Sequence, residues 1–359
     1  MTLAPLGAPL GLLAELTHRC PLHCPYCSNP LDLVRRSAEL DTATWQRIFA
    51  EAAALGCLQL HLSGGEPLAR PDILALAAAA RGAGLYVNLI TSGVLAGAPS
   101  PAELAAAGVD HVQLSLQDAE PRGADRIAGL AGAHARKLAF ARGVAASGLP
   151  LTVNVVVHRQ NLARLEAMIA LATALGAVRL EVAHVQYHGW ALANRDALLP
   201  TQDQVDEAAR VVAAARPARM PIDHVVPDYF ADRPKPCIGG WGQRALVVTP
   251  AGRILPCHAA ESLPGFAWPE ARTTSLRAAW RSGPFARYRG TAWMKPPCQG
   301  CPEAERDWGG CRCQAHALAG DAAAADPVCA LSPHHHVMLA AVEAARASND
   351  FTPRSFSRA

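Results

Sequence analysis

The sequence predicts an α/β fold: a partial (β/α)6 barrel followed by a cysteine-rich domain. Short runs of Val, Leu and Ile alternate with helix-length stretches whose apolar residues recur every three or four positions. This alternation is typical of a parallel sheet covered by helices. Six strands are fewer than the eight of a closed barrel, so we expect an open sheet. The predicted strands are 12–16, 58–62, 85–91, 111–117, 151–158 and 178–185.

Start and stop residues mark the predicted helices. Asp41 precedes a helix over 42–55 that ends at Gly56, and Asn161 precedes one over 162–175 that ends at Gly176. Asp and Asn cap helix N-termini, and glycine adopts the left-handed conformation that ends a helix. The other predicted helices are 71–80, 101–107, 134–146 and 201–215, and a β-hairpin is predicted over 245–249 and 254–256.

Composition divides the chain into four parts. We expect a barrel over 8–190 and a connector over 191–236. A second, metal-stapled domain over 237–345 is rich in glycine, proline, tryptophan and cysteine. The polar residues 346–359 are expected to be a disordered tail.

Bulk composition gives no indication of nucleic-acid or membrane binding. The 359 residues carry 33 basic and 30 acidic side chains with no block of like charge. Residues 1–7 do not resemble a signal peptide, and no apolar run approaches the ~20 residues of a membrane helix. We therefore expect a cytoplasmic protein, in which the 11 cysteines bind metal rather than form disulfides.

Three cysteines follow the first predicted strand with the spacing C-x3-C-x2-C. Cys20, Cys24 and Cys27 are soft thiolate ligands, which select iron–sulfur clusters or zinc. One loop that supplies three ligands leaves a further metal position open to a small molecule. A zinc site completed by His23, or three inert buried thiols, is the alternative.

The loop, with Tyr26 before its last cysteine, resembles the signature of the radical S-adenosylmethionine (SAM) family. In that family the three cysteines hold a 4Fe–4S cluster, and SAM binds the open iron through its amino and carboxylate groups. The glycine-rich turn 64–67 lies where the family binds the SAM amino group. The resemblance implies these SAM contacts: Gly64, Gly65, Glu66, Pro67, Thr91, Ser115, Gln117 and Asn154. For the last four, ordinary hydrogen bonding at strand ends is the alternative.

The second half resembles the SPASM extension of peptide-modifying radical SAM enzymes, which carries two auxiliary clusters. That extension has the pattern C-x2-C-x5-C-x3-C, and here Asp307 stands at the third position. Asp307 and the added Cys313 resemble the peptide cyclases of pyrroloquinoline quinone (PQQ) biosynthesis, as do segments 12–17, 24–30, 187–191 and 327–335.

The resemblance implies two ligand sets in the second domain. The first would hold a 2Fe–2S cluster through Cys237, Cys257, Cys311 and Cys313. The second would hold a 4Fe–4S cluster through Cys298, Cys301, Asp307 and Cys329. A pair of structural zinc sites is the alternative.

The resemblance also implies a reaction and its partners. In that family a 5′-deoxyadenosyl radical starts formation of a carbon–carbon crosslink between Glu and Tyr side chains of a precursor peptide, PqqA. A chaperone, PqqD, presents the peptide, and a reductant such as flavodoxin supplies electrons. A sulfatase-maturase-like enzyme and a non-catalytic electron-transfer protein are the alternatives; Asp307 argues against the first and the turn 64–67 against the second.

Some residues receive less specific predictions. No catalytic base can be named, and Asp196, Asp223 and His188 are candidates only by their location after the barrel. Cys57, at the start of the second strand, is predicted to be a small buried core residue. The histidines at 334–336 are expected on a solvated turn.

Overall fold

The central element is a nine-stranded sheet in the order β7-β6-β5-β4-β3-β2-β1-β8-β9. The structure is a computed structural model, and it describes residues 7–215, 220–345 and 350–356. Strands β1 to β8 pair in parallel, and β9 pairs antiparallel to β8. The strands are β1 Gly11–Glu15, β2 Gln59–Ser63, β3 Tyr86–Thr91, β4 His111–Leu116, β5 Leu151–Val157, β6 Arg179–His184, β7 Ile222–Val225, β8 Ala245–Val248 and β9 Ile254–Leu255.

Helices follow the strands of the barrel, and shorter helices fill the second half of the chain. In the barrel and connector they are α1 Thr42–Leu55, α2 Ile73–Gly82, α3 Pro101–Ala107, α4 Pro121–Ala128, α5 Ala133–Ser147, α6 Leu165–Ala174, α7 Gly189–Ala193, α8 Arg195–Leu198 and α9 Gln202–Ala215. Beyond the connector they are α10 Leu276–Trp280, α11 Gly283–Ala286, α12 Ala304–Asp307, α13 Arg312–Ala319 and α14 His335–Ala344.

The predicted α/β fold with an open parallel sheet is confirmed. The six predicted strands and the 245–256 hairpin are all present, and the helix predicted over 162–175 begins as a 3-10 turn before α6. Two features differ from the prediction. The connector supplies a seventh parallel strand, β7, and β8 of the hairpin pairs with β1 instead of standing in a separate domain.

Local chemistry explains the element ends. The Asp41 carboxylate accepts a hydrogen bond from the Thr44 backbone N–H at 2.8 Å, and Gly56 ends α1 with a φ of 105°. Ser100 and Glu103 form a capping box at the start of α3. The core lies between the sheet and the helices and includes the buried Cys57, as predicted.

The lower part of the barrel interior is polar. His61 contacts Asn88 at 3.0 Å, and the Glu181 carboxylate accepts hydrogen bonds from Gln113 and Asn154. His61 and Asn88 lie on neighbouring strands, as do Asn154 and Glu181, whereas Gln113 reaches Glu181 across β5. These polar side chains therefore satisfy one another across the sheet. These polar pairs lie below the carboxyl ends of the strands, where the candidate site described below is located.

The C-terminal residues depart from the expectation of a disordered tail. Residues 350–356 lie against the barrel, where the Thr352 backbone N–H donates to the Asn194 side chain at 2.7 Å. Backbone hydrogen bonds to partners far away in sequence hold this polar segment in place. The rest of the expected tail, 346–349 and 357–359, and residues 1–6 of the N-terminal segment lie outside the described residues.

Of the histidines after the last cysteine, His334 lies on a turn, as expected, whereas the next two begin a helix. His335 and His336 are the first residues of α14, and the His335 ring contacts the Pro327 carbonyl oxygen at 2.9 Å. In the described part of the chain, none of the helices combines the length and apolarity needed to cross a membrane.

Candidate metal and cofactor centre

The three-cysteine loop follows β1 and is held by backbone hydrogen bonds. The His23 N–H donates to the Ala128 carbonyl oxygen at 2.8 Å, and the Cys27 N–H donates to the Cys24 carbonyl oxygen at 3.2 Å. The Leu22 N–H points at the Cys20 sulfur, 3.4 Å away. N–H groups aimed at a sulfur favour the thiolate. The loop therefore holds its three thiols in a defined arrangement at the carboxyl end of the sheet.

The glycine-rich turn after β2 packs directly on the chain that leads into the loop. The Gly65 N–H donates to the Thr17 carbonyl oxygen at 2.6 Å, and the Glu66 N–H donates to the Arg19 carbonyl oxygen at 2.7 Å. A Cβ at Gly64 would lie 2.3 Å from the Thr17 oxygen, and one at Gly65 would lie 2.5 Å from the Arg19 oxygen. Both positions therefore require glycine because two backbones meet there.

Glu66 is fully buried, and its carboxylate is hydrogen-bonded by other residues of the chain. Its carboxylate accepts hydrogen bonds from the Thr91 hydroxyl at 2.7 Å, the Ser92 N–H at 2.8 Å and the Leu68 N–H at 3.1 Å. The Ser92 hydroxyl also donates to it. Pro67 is buried behind it in a short 3-10 turn. Both residues support the rim, and neither lines the cavity described next.

A cavity of about 310 Å³ lies over the loop and the strand ends. It unites most of the residues that the resemblance assigned to the cluster and to SAM. Those lining it are Cys20, Cys24, Cys27, Gly64, Gly65, Thr91, Ser115 and Gln117. The Gln117 amide nitrogen donates to the Tyr26 hydroxyl at 3.0 Å, but its buried oxygen has no partner among the described residues. An unpaired buried acceptor on a cavity wall fits a ligand that brings a donor.

Several cavity residues were missed by the sequence analysis. Glu15 and Ser92 stand at the ends of β1 and β3, where a polar residue closing an apolar strand was the available signal. Tyr26, His258 and Arg354 also line the cavity. Arg354 lies in an irregular polar segment and offered no signal at all.

Besides Glu66 and Pro67, three predicted positions are not brought to this cavity. Asn154 lies in the middle of β5 and donates to Glu181 at 2.8 Å, so it belongs to the polar interior below the rim. Asp196 and Asp223 form exposed ion pairs with their neighbours Arg195 and Arg179. Neither aspartate is placed to act on a ligand bound in the cavity.

Burial dominates the electrostatics of the loop. It raises the pKa of Cys20 to about 12 and that of Cys24 to about 11, because a buried thiolate is poorly solvated. Burial likewise raises the pKa of Glu15 to about 8. Lys137 is buried behind the rim, where its ammonium donates to the carbonyl oxygens of Ser92 and Ser115. Burial thus disfavours ionisation of these thiols, and a bound cation would favour the thiolate.

A second group of cysteines gathers beside the barrel. Hydrogen bonds from Cys237 and Cys313 hold the pKa of Cys311 well below its usual range. Burial raises the pKa of Cys257 to about 12, and Cys311 adds to this effect. The Asp326 carboxylate accepts from the Cys311 N–H at 2.7 Å. The four cysteines that the resemblance assigned to a 2Fe–2S cluster are thus neighbours.

The remaining assigned residues form a third group around α12. Burial raises the pKa of Cys298, and Asp307, Cys329 and Cys301 act on it as near neighbours. One Asp307 oxygen accepts from the Gly309 N–H at 2.8 Å. Asp307, the last residue of α12, therefore stands with the three thiols, which lie outside the helices.

A second cavity of about 360 Å³ opens next to the first. The two share Ser28 and His258 as lining residues. His188 also lines the second cavity, and its hydrogen bond with Cys311 helps to raise its pKa against the effect of burial. Of the three candidate bases, His188 alone lines one of these two cavities.

The donor chemistry of all three groups fits iron–sulfur clusters. Thiolates are the ligands these clusters use, and an aspartate oxygen is a harder and rarer substitute. Among the described residues, no three His, Cys, Asp or Glu side chains are arranged to hold a single metal ion.

A parallel partial barrel with this site at its strand ends defines a radical SAM enzyme. Comparison with known proteins agrees: residues 14–172 match the radical SAM superfamily. Residues 237–302 match the SPASM iron–sulfur cluster-binding domain.

Curated relatives narrow the class. The PqqA peptide cyclase of Gluconobacter oxydans (strain 621H) is 58% identical over 349 residues, which cover 97% of this chain and 96% of the relative. That of Methylobacterium sp. (strain 4-46) is 60% identical over 334 residues, covering 92% and 88%. The chain belongs to the family of PqqA peptide cyclases.

Solved structures share the fold. Streptococcus suis SuiB bound to S-adenosylmethionine superposes with a TM-score of 0.73 at 19% identity, covering 90% of this chain and 78% of that chain. SuiB bound to its precursor peptide SuiA gives a TM-score of 0.74 at 19% identity, with coverage of 90% and 76%. Identity this low supports the architecture alone.

Proposed function

We propose that this chain crosslinks a glutamate side-chain carbon to a tyrosine ring carbon of the PqqA precursor peptide, an early step of PQQ biosynthesis. The observation that carries the proposal is the three-cysteine loop and glycine-rich turn around one cavity. They occur in a chain that is 58% identical to a PqqA peptide cyclase over 97% of its length.

Cys20, Cys24 and Cys27 hold the first 4Fe–4S cluster in this proposal, and SAM occupies the cavity beside it. When bound and reduced, the cluster and SAM supply a 5′-deoxyadenosyl radical. Gly64 and Gly65 place backbone groups at the cavity wall, and Gln117 offers its unpaired oxygen to a SAM donor. Thr91 and Ser115 complete the wall at the ends of neighbouring strands.

The buried walls serve the radical chemistry by excluding water. Glu66 and Lys137 support the cavity wall from behind, because each is buried and hydrogen-bonded to residues at the strand ends. A dry, pre-organised cavity keeps a reactive radical from side reactions. These residues shape the site without touching the substrate.

The two other cysteine groups are proposed as auxiliary clusters. Cys237, Cys257, Cys311 and Cys313 would hold a 2Fe–2S cluster, and Cys298, Cys301, Asp307 and Cys329 a 4Fe–4S cluster. Crosslinking removes two hydrogens from the peptide. One would leave as a hydrogen atom taken by the adenosyl radical and the other as a proton, and an auxiliary cluster held by these residues would supply an acceptor for the remaining electron.

The precursor peptide would enter through the second cavity, since that cavity shares Ser28 and His258 with the first. A chaperone such as PqqD is proposed to present the peptide, and a reductant such as flavodoxin to supply the electrons. Eleven free cysteines suit the reducing cytoplasm.

The test is turnover of PqqA by the anaerobically reconstituted protein with SAM and reduced flavodoxin, followed by mass spectrometry. We expect a peptide lighter by two hydrogens, with fragmentation that places the link between Glu and Tyr. Metal analysis should give about ten irons per chain with matching sulfide; about two zinc atoms without sulfide would refute the clusters.

Cys24→Ala tests the first-cluster assignment, and Cys57→Ala is its matched control. Cys24→Ala should abolish deoxyadenosine formation and lower the iron content by about four, whereas Cys57→Ala in the core should do neither. Continued SAM cleavage by Cys24→Ala would refute the first-cluster assignment. SAM cleavage by the unaltered chain without any change in the mass of PqqA would refute the substrate.

A further inference from the structure

The C-terminal segment 350–356 is tied to the three-cysteine loop. Asn194 exchanges two hydrogen bonds with the Thr352 backbone, at 2.7 and 2.9 Å, and also donates to the Pro25 carbonyl oxygen of the loop at 3.0 Å. The Arg354 N–H donates to the His23 carbonyl oxygen at 3.2 Å. The His23 ring contacts the Arg354 carbonyl oxygen at 2.7 Å. Residue 354 is thus fixed against the loop from both sides.

The Arg354 side chain enters the cluster cavity and is only 2% exposed. One terminal nitrogen donates to the His18 carbonyl oxygen, and the guanidinium lines the same cavity as the Cys27 thiol. Its buried Nε has no partner among the described residues. A guanidinium with a free N–H in this position has room to donate to a further acceptor in the cavity.

The charge of Arg354 has no carboxylate partner in the described part of the chain. Burying an unpaired cation is costly, so a buried guanidinium normally faces an anion. Arg354 is the one arginine or lysine among the described residues that line this cavity, because Lys137 stays behind the rim on backbone carbonyls. An anion that pairs with Arg354 would therefore lie in the cavity.

We propose that Arg354 is a positioning residue of the first cluster: its guanidinium donates to the Cys27 thiolate and offsets the negative charge of the thiolate-bound cluster. The segment 350–356 is then part of the cluster site. The inference rests on the proposed function, because it takes the three cysteines as cluster ligands. Positive charge and N–H groups directed at the sulfurs raise the reduction potential of a cluster.

The test is a redox titration of the anaerobically reconstituted, full-length protein followed by electron paramagnetic resonance. The part of the reduced signal that changes when SAM is added reports the first cluster. We expect Arg354→Gln to shift its midpoint potential to a lower value and Arg354→Lys to shift it less. The exposed neighbour variant Ser355→Ala should leave it unchanged, with the iron content of all proteins equal.

Other outcomes decide the proposal as well. Loss of about four irons from Arg354→Gln but not from Arg354→Lys supports it, and loss from both contradicts it. An unchanged potential in Arg354→Gln overturns it. Weaker SAM binding by equilibrium dialysis at an unchanged potential also overturns it and assigns the guanidinium to the SAM carboxylate. Failure of the unaltered chain to crosslink PqqA would sink the proposed function while leaving these comparisons intact.

Discussion

The Thr91 hydroxyl donates to the Glu66 carboxylate at 2.7 Å and so joins the ends of two neighbouring strands. Sequence resemblance assigned both residues to SAM. In the structure they bind each other, and the second Glu66 oxygen is taken by Ser92. Glu66 therefore acts by fixing the rim from which the glycine backbone reaches the cavity.

Glu66→Gln tests this supporting role. The amide would place a donor opposite a Ser92 or Thr91 donor in a fully buried site, which costs about 1–3 kcal/mol of unfolding free energy. We expect a lower Tm and weaker SAM binding from the same change, measured by calorimetry and equilibrium dialysis. Glu343→Gln on the exposed face of α14 should alter neither, and a Glu66→Gln protein with unaltered Tm would contradict the role.

Gly64→Ala tests the close approach of the two backbones. The added Cβ would lie 2.3 Å from the Thr17 oxygen, at a φ of 132° that disfavours side chains. We expect displacement of the three-cysteine loop, with incomplete loading of the first cluster shown by iron analysis. Gly82→Ala provides the control, since nothing lies within 4 Å of its Cβ; it should be neutral or stabilising by about 0.5–1 kcal/mol. Full iron loading of Gly64→Ala would disprove the constraint.

Asp307→Ala tests the oxygen ligand of the third group. Removing the carboxylate should change the spectrum of the second auxiliary cluster alone, because Asp307 neighbours Cys298 and not the other cysteine groups. Mössbauer or electron paramagnetic resonance spectroscopy measures the change. Glu305→Ala, exposed on the same helix, is the control. A spectrum identical to that of the unaltered protein would remove Asp307 from the ligand set.

Glu15→Gln tests the buried carboxyl of the cavity through pH. Burial raises the Glu15 pKa to about 8, and Glu261 adds to the rise. The folded protein thus binds a proton that the unfolded chain releases near pH 4.5, so Glu15 loses its stabilising contribution as the pH rises from there to about 8.

The neutral variant avoids that loss. Its stability advantage over the unaltered protein should grow across this interval by up to roughly 1.4 kcal/mol per pH unit. Thermal unfolding of both proteins at pH 5.5 and 8 measures it, with Glu343→Gln as the exposed control. An advantage that does not change between the two pH values would show that Glu15 is already ionised.

The strands and helices of the barrel could be predicted from the sequence because local residue patterns determine them. Caps such as Asp41 and Gly56 and the apolar strand pattern marked the βα units within a residue or two. The three-cysteine loop and the turn 64–67 landed on one rim because parallel strands end at one edge. The predictions that failed depended on long-range contacts.

Asn154 and Arg354 show why those contacts escape the sequence. Asn154 has the residue type of a rim contact, but a position three residues before the strand end puts it beside Glu181. Arg354 lies in a polar segment without periodicity, and hydrogen bonds with His18 and His23, far away in sequence, place it. Strand β7 is four residues in a proline-rich connector, too short for a pattern to reveal.

Strand β8 has a further consequence for how the chain can be divided. It lies beyond residue 236, where a cut would separate the barrel from the iron–sulfur domain, yet it covers the edge of β1 that β2 leaves open. An excised barrel would present the strand that leads into the three-cysteine loop as a naked, largely apolar edge, which is a template for aggregation. The two cluster-bearing halves are therefore best regarded as one folding unit, and function should be studied in the uncut chain.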